Sequence, residues 1–259
     1  MSAVRIAIVV PTKDATSEMA RTCLDAARKT TEHLGATVHP IQRSGPGFRF
    51  SRSINEGIRK APDADGWVLL NDDAWMDAGW LDAMLDAAAA HPEVGEWGGL
   101  LRYPDGSIQH AGGYVHTSPL PALALATRHK APLWMARMIA SQRGRAYPYM
   151  WGHWRSISPR HRLDYVTAAC ALVTRACVEK VGLFDEDYEF GAEDVDYSLR
   201  ALEAGLEIGV ARGATGLHHE GKSTAPMGER QRRSLNTFRA KWPAARIRAA
   251  TRGRHGVIA

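Results

Sequence analysis

Three short clusters of ionisable residues have the types and spacing to do chemistry together. Asn71-Asp72-Asp73 directly follows the apolar run Gly66-Trp67-Val68-Leu69-Leu70. Carboxylates at the end of a buried strand are costly to desolvate unless something cationic meets them. A divalent cation held there bridges diphosphate oxygens and offsets the charge that grows on a leaving group; the same pair also suits a turn or a helix cap. Phe190-Gly191-Ala192-Glu193-Asp194-Val195-Asp196 puts three acids at a helix start, where the dipole favours negative charge. Either these are ordinary N-terminal acids, or one accepts a proton from a hydroxyl while the others orient it. Leu217-His218-His219-Glu220 offers imidazoles, which complete carboxylate sites around first-row divalent ions, although adjacent loop histidines often have no such role.

The elements that must carry these clusters alternate between strand and helix. Val4 to Val10 is β-branched and halted by Pro11, which predicts a buried strand. Ser17 to Leu34 follows as a helix, with Ser17 as N-cap and Gly35 just beyond its end. A second strand over Ala36 to Ile41, a helix over Ser51 to Lys60, a third strand over Gly66 to Leu70 and a helix over Gly79 to His91 complete the first half. That alternation is the signature of an α/β domain with a mainly parallel sheet, whose ligands bind beyond the carboxyl ends of strands. The residues after Val10 and after Leu70 are therefore the first places to look. Farther on, short strands are expected around Pro104-Asp105-Gly106, a strand over Asp164 to Thr174 and a helical turn over Arg175 to Val181. A helix over Val195 to Ala204, a last strand over Glu207 to Ala211 and a helix over Glu229 to Trp242 end the pattern. No internal repeat or low-complexity linker breaks it, so residues 1–259 read as one domain carrying a long excursion.

That excursion, Thr117 to Leu163, is rich in arginine, proline and tryptophan, with a short helix expected near Leu133 to Ser141. No Asp or Glu occurs from Gly106 to Leu163, and a second basic cluster (Lys241, Arg246, Arg248, Arg252, Arg254) lies near the chain's end. Such charge is either a solvated surface or a field that draws an anionic acceptor, a nucleic acid or a membrane surface. The 259 residues carry a net charge of +5 and are 45% hydrophobic, the mix of a globular protein. No apolar run approaches the roughly 20 residues of a membrane span. Three cysteines without metal-type spacing, and an N-terminus without signal-peptide architecture, give the expectation of a cytoplasmic protein, in part peripheral to a membrane.

The order and spacing of these clusters resemble the family 2 glycosyltransferases of GT-A (Rossmann-like) fold, over nearly the whole chain. Val9-Val10-Pro11-Thr12-Lys13-Asp14 resembles the family's first nucleotide-binding turn, and Phe50-Ser51-Arg52-Ser53-Ile54-Asn55-Glu56-Gly57 its Asn-x-Gly helix. Leu70-Asn71-Asp72-Asp73 is similar to the Asp-x-Asp variant that begins with Asn. Asp105-Gly106-Ser107-Ile108-Gln109-His110-Ala111-Gly112-Gly113 resembles a segment of the rhamnosyltransferase-like branch. Gly182-Leu183-Phe184-Asp185-Glu186 with Glu193-Asp194-Val195-Asp196 is similar to the acceptor-side motif, and Asn236 to Trp242 to a frequent C-terminal helix.

The resemblance implies a metal-dependent, inverting hexosyltransferase. Pro11, Thr12, Asp14, Arg52, Asn55, Asn71 and Asp72 would hold a UDP-, dTDP- or GDP-sugar. Asp73 and His218 would bind Mn2+ or Mg2+, and Asp194, with Glu193 as substitute, would be the base. The acceptor would be a saccharide or lipid-linked saccharide. Trp151, Trp154 and Arg155 on the excursion are the residues expected to meet it, since aromatics among arginines stack on sugars or bases. A modified base in DNA, a protein side chain, and a non-enzymatic nucleotide-sugar-binding protein are the alternatives. After the second strand, Ile41-Gln42-Arg43-Ser44 departs from the family in lacking an acidic residue, which leaves the nucleotide base open.

Overall fold

The computed structural model describes residues 4–45, 48–106, 108–116, 147–149, 163–219 and 228–259, with the backbone alone at 116 and 147–149. The expected excursion helix and the acceptor-side Trp151, Trp154 and Arg155 lie outside the described residues.

The strands are β1 (Ile6–Thr12), β2 (Thr37–Gln42), β3 (Gly66–Leu70), β4 (Ala74–Met76), β5 (Val94–Arg102), β6 (Ile108–His110), β7 (Tyr114–His116), β8 (Tyr147–Tyr149), β9 (Cys170–Thr174), β10 (Glu207–His218) and β11 (Val257–Ile258). The helices are α1 (Glu18–Thr31), α2 (Phe50–Lys60), α3 (Trp80–Ala90), α4 (Arg175–Val181), α5 (Glu193–Glu203), α6 (Glu229–Lys241) and α7 (Ala244–Ala250). The main sheet runs β11-β10-β5-β9-β3-β1-β2, with β4 on β10 and β6 on β5, while β7 and β8 pair separately.

Along that path β1 is parallel to β2 and β3, and β10 is parallel to β5 and β11. Only β9 is reversed, antiparallel to both β3 and β5. The expected α/β class with a mainly parallel sheet is therefore what the chain forms. Alternate residues of each strand feed opposite layers, as the pleat requires. Ile8, Val10, Val68 and Leu70 pack with Cys23, Leu24, Trp80 and Met84 of α1 and α3. Ala7, Val9, Trp67 and Leu69 pack with Ile54 of α2, Val195, Tyr197 and Leu199 of α5, and Phe238 and Trp242 at the end of α6.

Several boundaries differ from the sequence reading. The first strand passes through Pro11 to Thr12; its pairing with β3 ends at Val9, so the proline sits where the strand has one neighbour. The expected strand from Asp164 is regular only from Cys170, because residues before it turn to make other bonds: Val115 N donates to Asp164 Oδ2 at 2.7 Å. The strand expected last, over Glu207 to Ala211, runs on to His218 through a register shift between Ala211 and Thr215, and the short β11 follows it in the chain. β5 begins at Val94 despite its glycines; a Cβ at Gly98 would lie 2.6 Å from Val166 Cγ1, so glycine there makes room for a neighbour.

Candidate active site

Residues leaving β3 and residues entering β9 lie side by side, because β9 is reversed and Leu70 pairs with Cys170. Asn71 N donates to Ala169 O at 3.0 Å, tying the Asn71-Asp72-Asp73 turn to the turn before β9. Asp72 faces back to β1 and accepts from Thr12 Oγ1 at 2.7 Å. Burial raises the pKa of Asp72 above the ordinary carboxylate range, the Thr12 hydroxyl opposes that, and the charge of Asp73 adds to it.

Asp73 is buried and meets the end of β10. Its Oδ1 lies 3.1 Å from His218 Nε2, and its backbone carbonyl accepts from His219 N at 3.0 Å. The opposite side of the His218 ring is held by Gln109 of β6: Nδ1 lies 2.6 Å from Gln109 Oε1, while Gln109 Nε2 donates to His218 O at 3.3 Å. The second bond fixes the amide with its oxygen toward the ring. Nδ1 therefore carries a proton, and in the neutral ring the Nε2 lone pair points toward Asp73 and Asn71 Nδ2, the latter 3.2 Å away. A carboxylate oxygen beside an imidazole lone pair is a donor set that fits a hard or borderline divalent cation. Among the described residues, no group of three or more His, Cys, Asp or Glu is arranged to hold a metal.

The second acid pair opens α5. Ala192 takes a left-handed φ of 70° and Gly191 a φ of 82°, which aim the first helical turn. Glu193 is buried, with Oε2 unpartnered among the described residues. Burial pushes its pKa up, and the adjacent Asp194 charge adds to the rise. Asp194 is half-buried and lies against backbone donors: Val195 N at 2.8 Å and Ala168 N at 3.4 Å, with the Thr167 side chain also bonded. Burial raises its pKa, and these donors hold the rise down. Asp196 points away into the core, accepting from Tyr188 Oη, Trp242 Nε1 and Arg200 Nε.

The remaining expected residues make the following contacts. The Asp14 carboxylate is exposed and accepts from both Thr16 N and Thr16 Oγ1. Pro11 is buried within β1. Asn55 is buried and its two amide hydrogens go to Phe184 O at 2.8 Å and Glu186 Oε1 at 2.9 Å, while Oδ1 accepts from Phe184 N. It clamps α2 to the 184–186 loop, and Arg52 Nε joins that loop through Glu186. Gly57 completes the Asn-x-Gly pattern for room: a Cβ there would stand 2.2 Å from Val9 Cγ1. Three cations of the terminal basic cluster are paired inside the fold, Lys241 with Asp185 and Asp187, Arg246 with Glu203, and Arg254 with Glu207. Sequence reasoning gave Gln109, His110 and Thr167 no role; two polar residues between Ile108 and Ala111 were the available sign. Cys23, Cys170 and Cys177 are free and buried.

The chain is 32% identical over 189 residues to an N-acetylglucosaminyl-diphospho-decaprenol L-rhamnosyltransferase of Mycobacterium tuberculosis, covering 70% of this chain and 57% of that protein. It is 30% identical over 172 residues to the O-antigen biosynthesis protein RfbC of Myxococcus xanthus, covering 66% of this chain and 12% of that one. The chain thus spans a little over half of the first relative and a small part of the second. No protein-family model matches it. A mutant of Drosophila beta-1,4-galactosyltransferase 7, in complex with manganese, UDP-Gal and xylobiose, superposes with a TM-score of 0.51 at 15% identity, covering 89% of this chain and 79% of that one. At that identity the likeness speaks for the GT-A fold alone. Taken with the order of the acidic turns on a mainly parallel sheet whose reversed β9 brings them together, these relatives support a family 2 glycosyltransferase of the rhamnosyltransferase-like branch.

Proposed function

We propose that the chain moves a sugar from a nucleotide-sugar donor to a hydroxyl of a saccharide or lipid-linked saccharide, with inversion at the anomeric carbon. The observation that carries this reading is the meeting of two acid sites across one turn. Asn71 binds Ala169 O, and Asp194 accepts from Ala168 N, the neighbouring residue. A donor diphosphate at Asp73 and an acceptor hydroxyl at Asp194 would then share one cleft edge.

Asp73 and His218 are the residues that would hold Mn2+ or Mg2+, which when bound neutralises charge on the departing diphosphate. Asp72, with Thr12 and Asn71, orients the donor, and Pro11 and Asp14 border it; Arg52 and Asn55 support the loop behind. Asp194 accepts the proton of the acceptor hydroxyl as its oxygen bonds the anomeric carbon. The bond from that carbon to the diphosphate oxygen breaks in the same displacement, releasing nucleoside diphosphate. Burial raises the proton affinity of the Asp194 carboxylate, which favours uptake of that proton, while the backbone donors hold the rise down.

The acceptor class draws support from the Mycobacterium relative, whose name specifies a decaprenol-linked sugar. Among the described residues no helix is long and apolar enough to cross a membrane. Calorimetry with UDP-, dTDP- and GDP-sugars, with and without Mn2+, tests the donor half: binding of one donor that collapses on chelation is expected. A product that keeps the donor's anomeric configuration would exclude inversion.

A further inference from the structure

The short strand β6 supplies two adjacent buried side chains, Gln109 and His110, that serve the two halves of the site separately. Neighbouring strand residues point to opposite faces, so a dipeptide can reach two sets of partners at once. Gln109 grips His218 twice, at the ring Nδ1 and at the backbone carbonyl, as described above. His110 Nε2 accepts from Thr167 N at 3.0 Å. Thr167 begins the turn in which Ala169 N returns to Thr167 Oγ1 at 3.3 Å, Ala168 N donates to Asp194, and Ala169 O receives Asn71 N. For Nε2 to accept, the His110 ring must be neutral with its proton on Nδ1. Burial keeps it so, pushing the ring down to about 4.

We propose that Gln109 and His110 are paired positioning residues, Gln109 fixing His218 toward Asp73 and His110 holding the turn that carries Asp194. The inference rests on the glycosyltransfer reading and assigns that reaction two residues that touch neither donor nor acceptor. Groups that orient a metal-binding histidine set its tautomer and its affinity for the ion. Misplacing a base by an ångström lowers turnover without touching donor affinity. The two residues should therefore fail differently.

The test uses Mn2+ alone, then Mn2+ with UDP, dTDP or GDP, then transfer from the bound nucleotide sugar to a polyprenyl-diphospho-N-acetylglucosamine. Gln109→Leu is expected to weaken Mn2+ binding about 10- to 100-fold, while Gln109→Glu, which keeps an acceptor for Nδ1, restores most of it. His110→Leu is expected to leave Mn2+ and nucleotide binding intact and lower kcat by up to about 100-fold. His110→Gln, which keeps an acceptor near the Nε2 position, restores kcat. Long-range proton–nitrogen spectra of the wild-type histidines at alkaline pH should show both His218 and His110 protonated on Nδ1, a readout independent of whether any variant folds. An Nε2-protonated ring at either position overturns that half. If wild type binds neither Mn2+ nor any nucleoside diphosphate, the glycosyltransfer reading falls and takes this one with it. If wild type binds both and Gln109→Leu binds equally well, or His110→Leu turns over normally, the positioning inference alone falls.

Discussion

Two pairs of adjacent acids border the candidate site, and they are built in opposite ways. Asp72-Asp73 leaves a parallel strand and is met by side chains: the Thr12 hydroxyl on one acid, the His218 ring on the other. Glu193-Asp194 opens a helix and is met mainly by backbone: Val195 N and Ala168 N on Asp194, joined by the Thr167 side chain, with Glu193 Oε2 unpartnered among the described residues. Side-chain partners such as imidazole and hydroxyl are themselves ligands or can move aside for one. Backbone donors stay where the fold puts them and tune a proton affinity instead. The first pair is thus equipped to bind charge and the second to exchange a proton, which a count of carboxylates would not distinguish.

Exchanging the two acids most central to that contrast should have the largest and most divergent effects. Asp194→Asn is expected to lower kcat about 10³-fold while nucleotide and Mn2+ binding persist. Asp73→Asn is expected to lose Mn2+-dependent nucleotide binding itself. Single-turnover kinetics beside calorimetry separates the two, and matching defects in both variants would erase the distinction. With Asp194 raised by burial, wild-type turnover should also fall on acidification already above the ordinary aspartate range. Next in size, Thr12→Val removes the hydroxyl on Asp72 and is expected to weaken donor binding about 10-fold with kcat kept, as loss of a bond to a charged group predicts.

A third test probes the proton side through Glu96, a fully buried carboxyl of β5 that accepts from Ser198 Oγ at 2.5 Å. Burial raises it to about 8, and the Asp194 charge contributes. A folded-state pKa raised above the ordinary 4.5 means the folded chain holds a proton the unfolded chain has lost. Stability should then fall as pH rises from about 4.5 to about 8 and level off above. Glu96→Gln should flatten that slope in melts across the same window; an unchanged slope would place the titration elsewhere. The smallest effect is expected from Ala192→Gly. Relief of the left-handed φ is offset by glycine's extra freedom in the unfolded chain, leaving a gain of about 1 kcal/mol or less. Thermal unfolding measures it, and a clear loss would show that the Cβ of Ala192 packs usefully at the entry to α5.

The donor side was legible because its signals are local. The β-branched run before Pro11, the Ser17 cap that accepts from Ala20 N, and the apolar run before Asn71 each specify an element without distant help. The other side was read in outline only. β5 contains Gly95, Gly98 and Gly99, which lower strand propensity yet leave room for Leu206, Val166 and Met76 against the sheet. β10 reaches His218 only through its irregular register, and no periodicity spans such a break. Asn55 looked like a ligand contact because the motif names its type, whereas its environment made it a clamp on Phe184. Gln109 and His110 were visible as letters, but their partners lie on segments that no local pattern links to them.

The reversed course of β9 also bears on when this protein becomes competent during its synthesis. The bonds that define the site join Gln109 to His218 across 109 positions and Asn71 to His218 across 147. Contacts so distant in sequence close late, after nearer pairs such as β1 with β2 can already form. Nearly all of the described chain must leave the ribosome before Asp73 can meet His218. A nascent chain halted short of β10 would lack that pairing altogether, so the capacity proposed for it to bind Mn2+ and nucleotide should arise abruptly once β10 has been made.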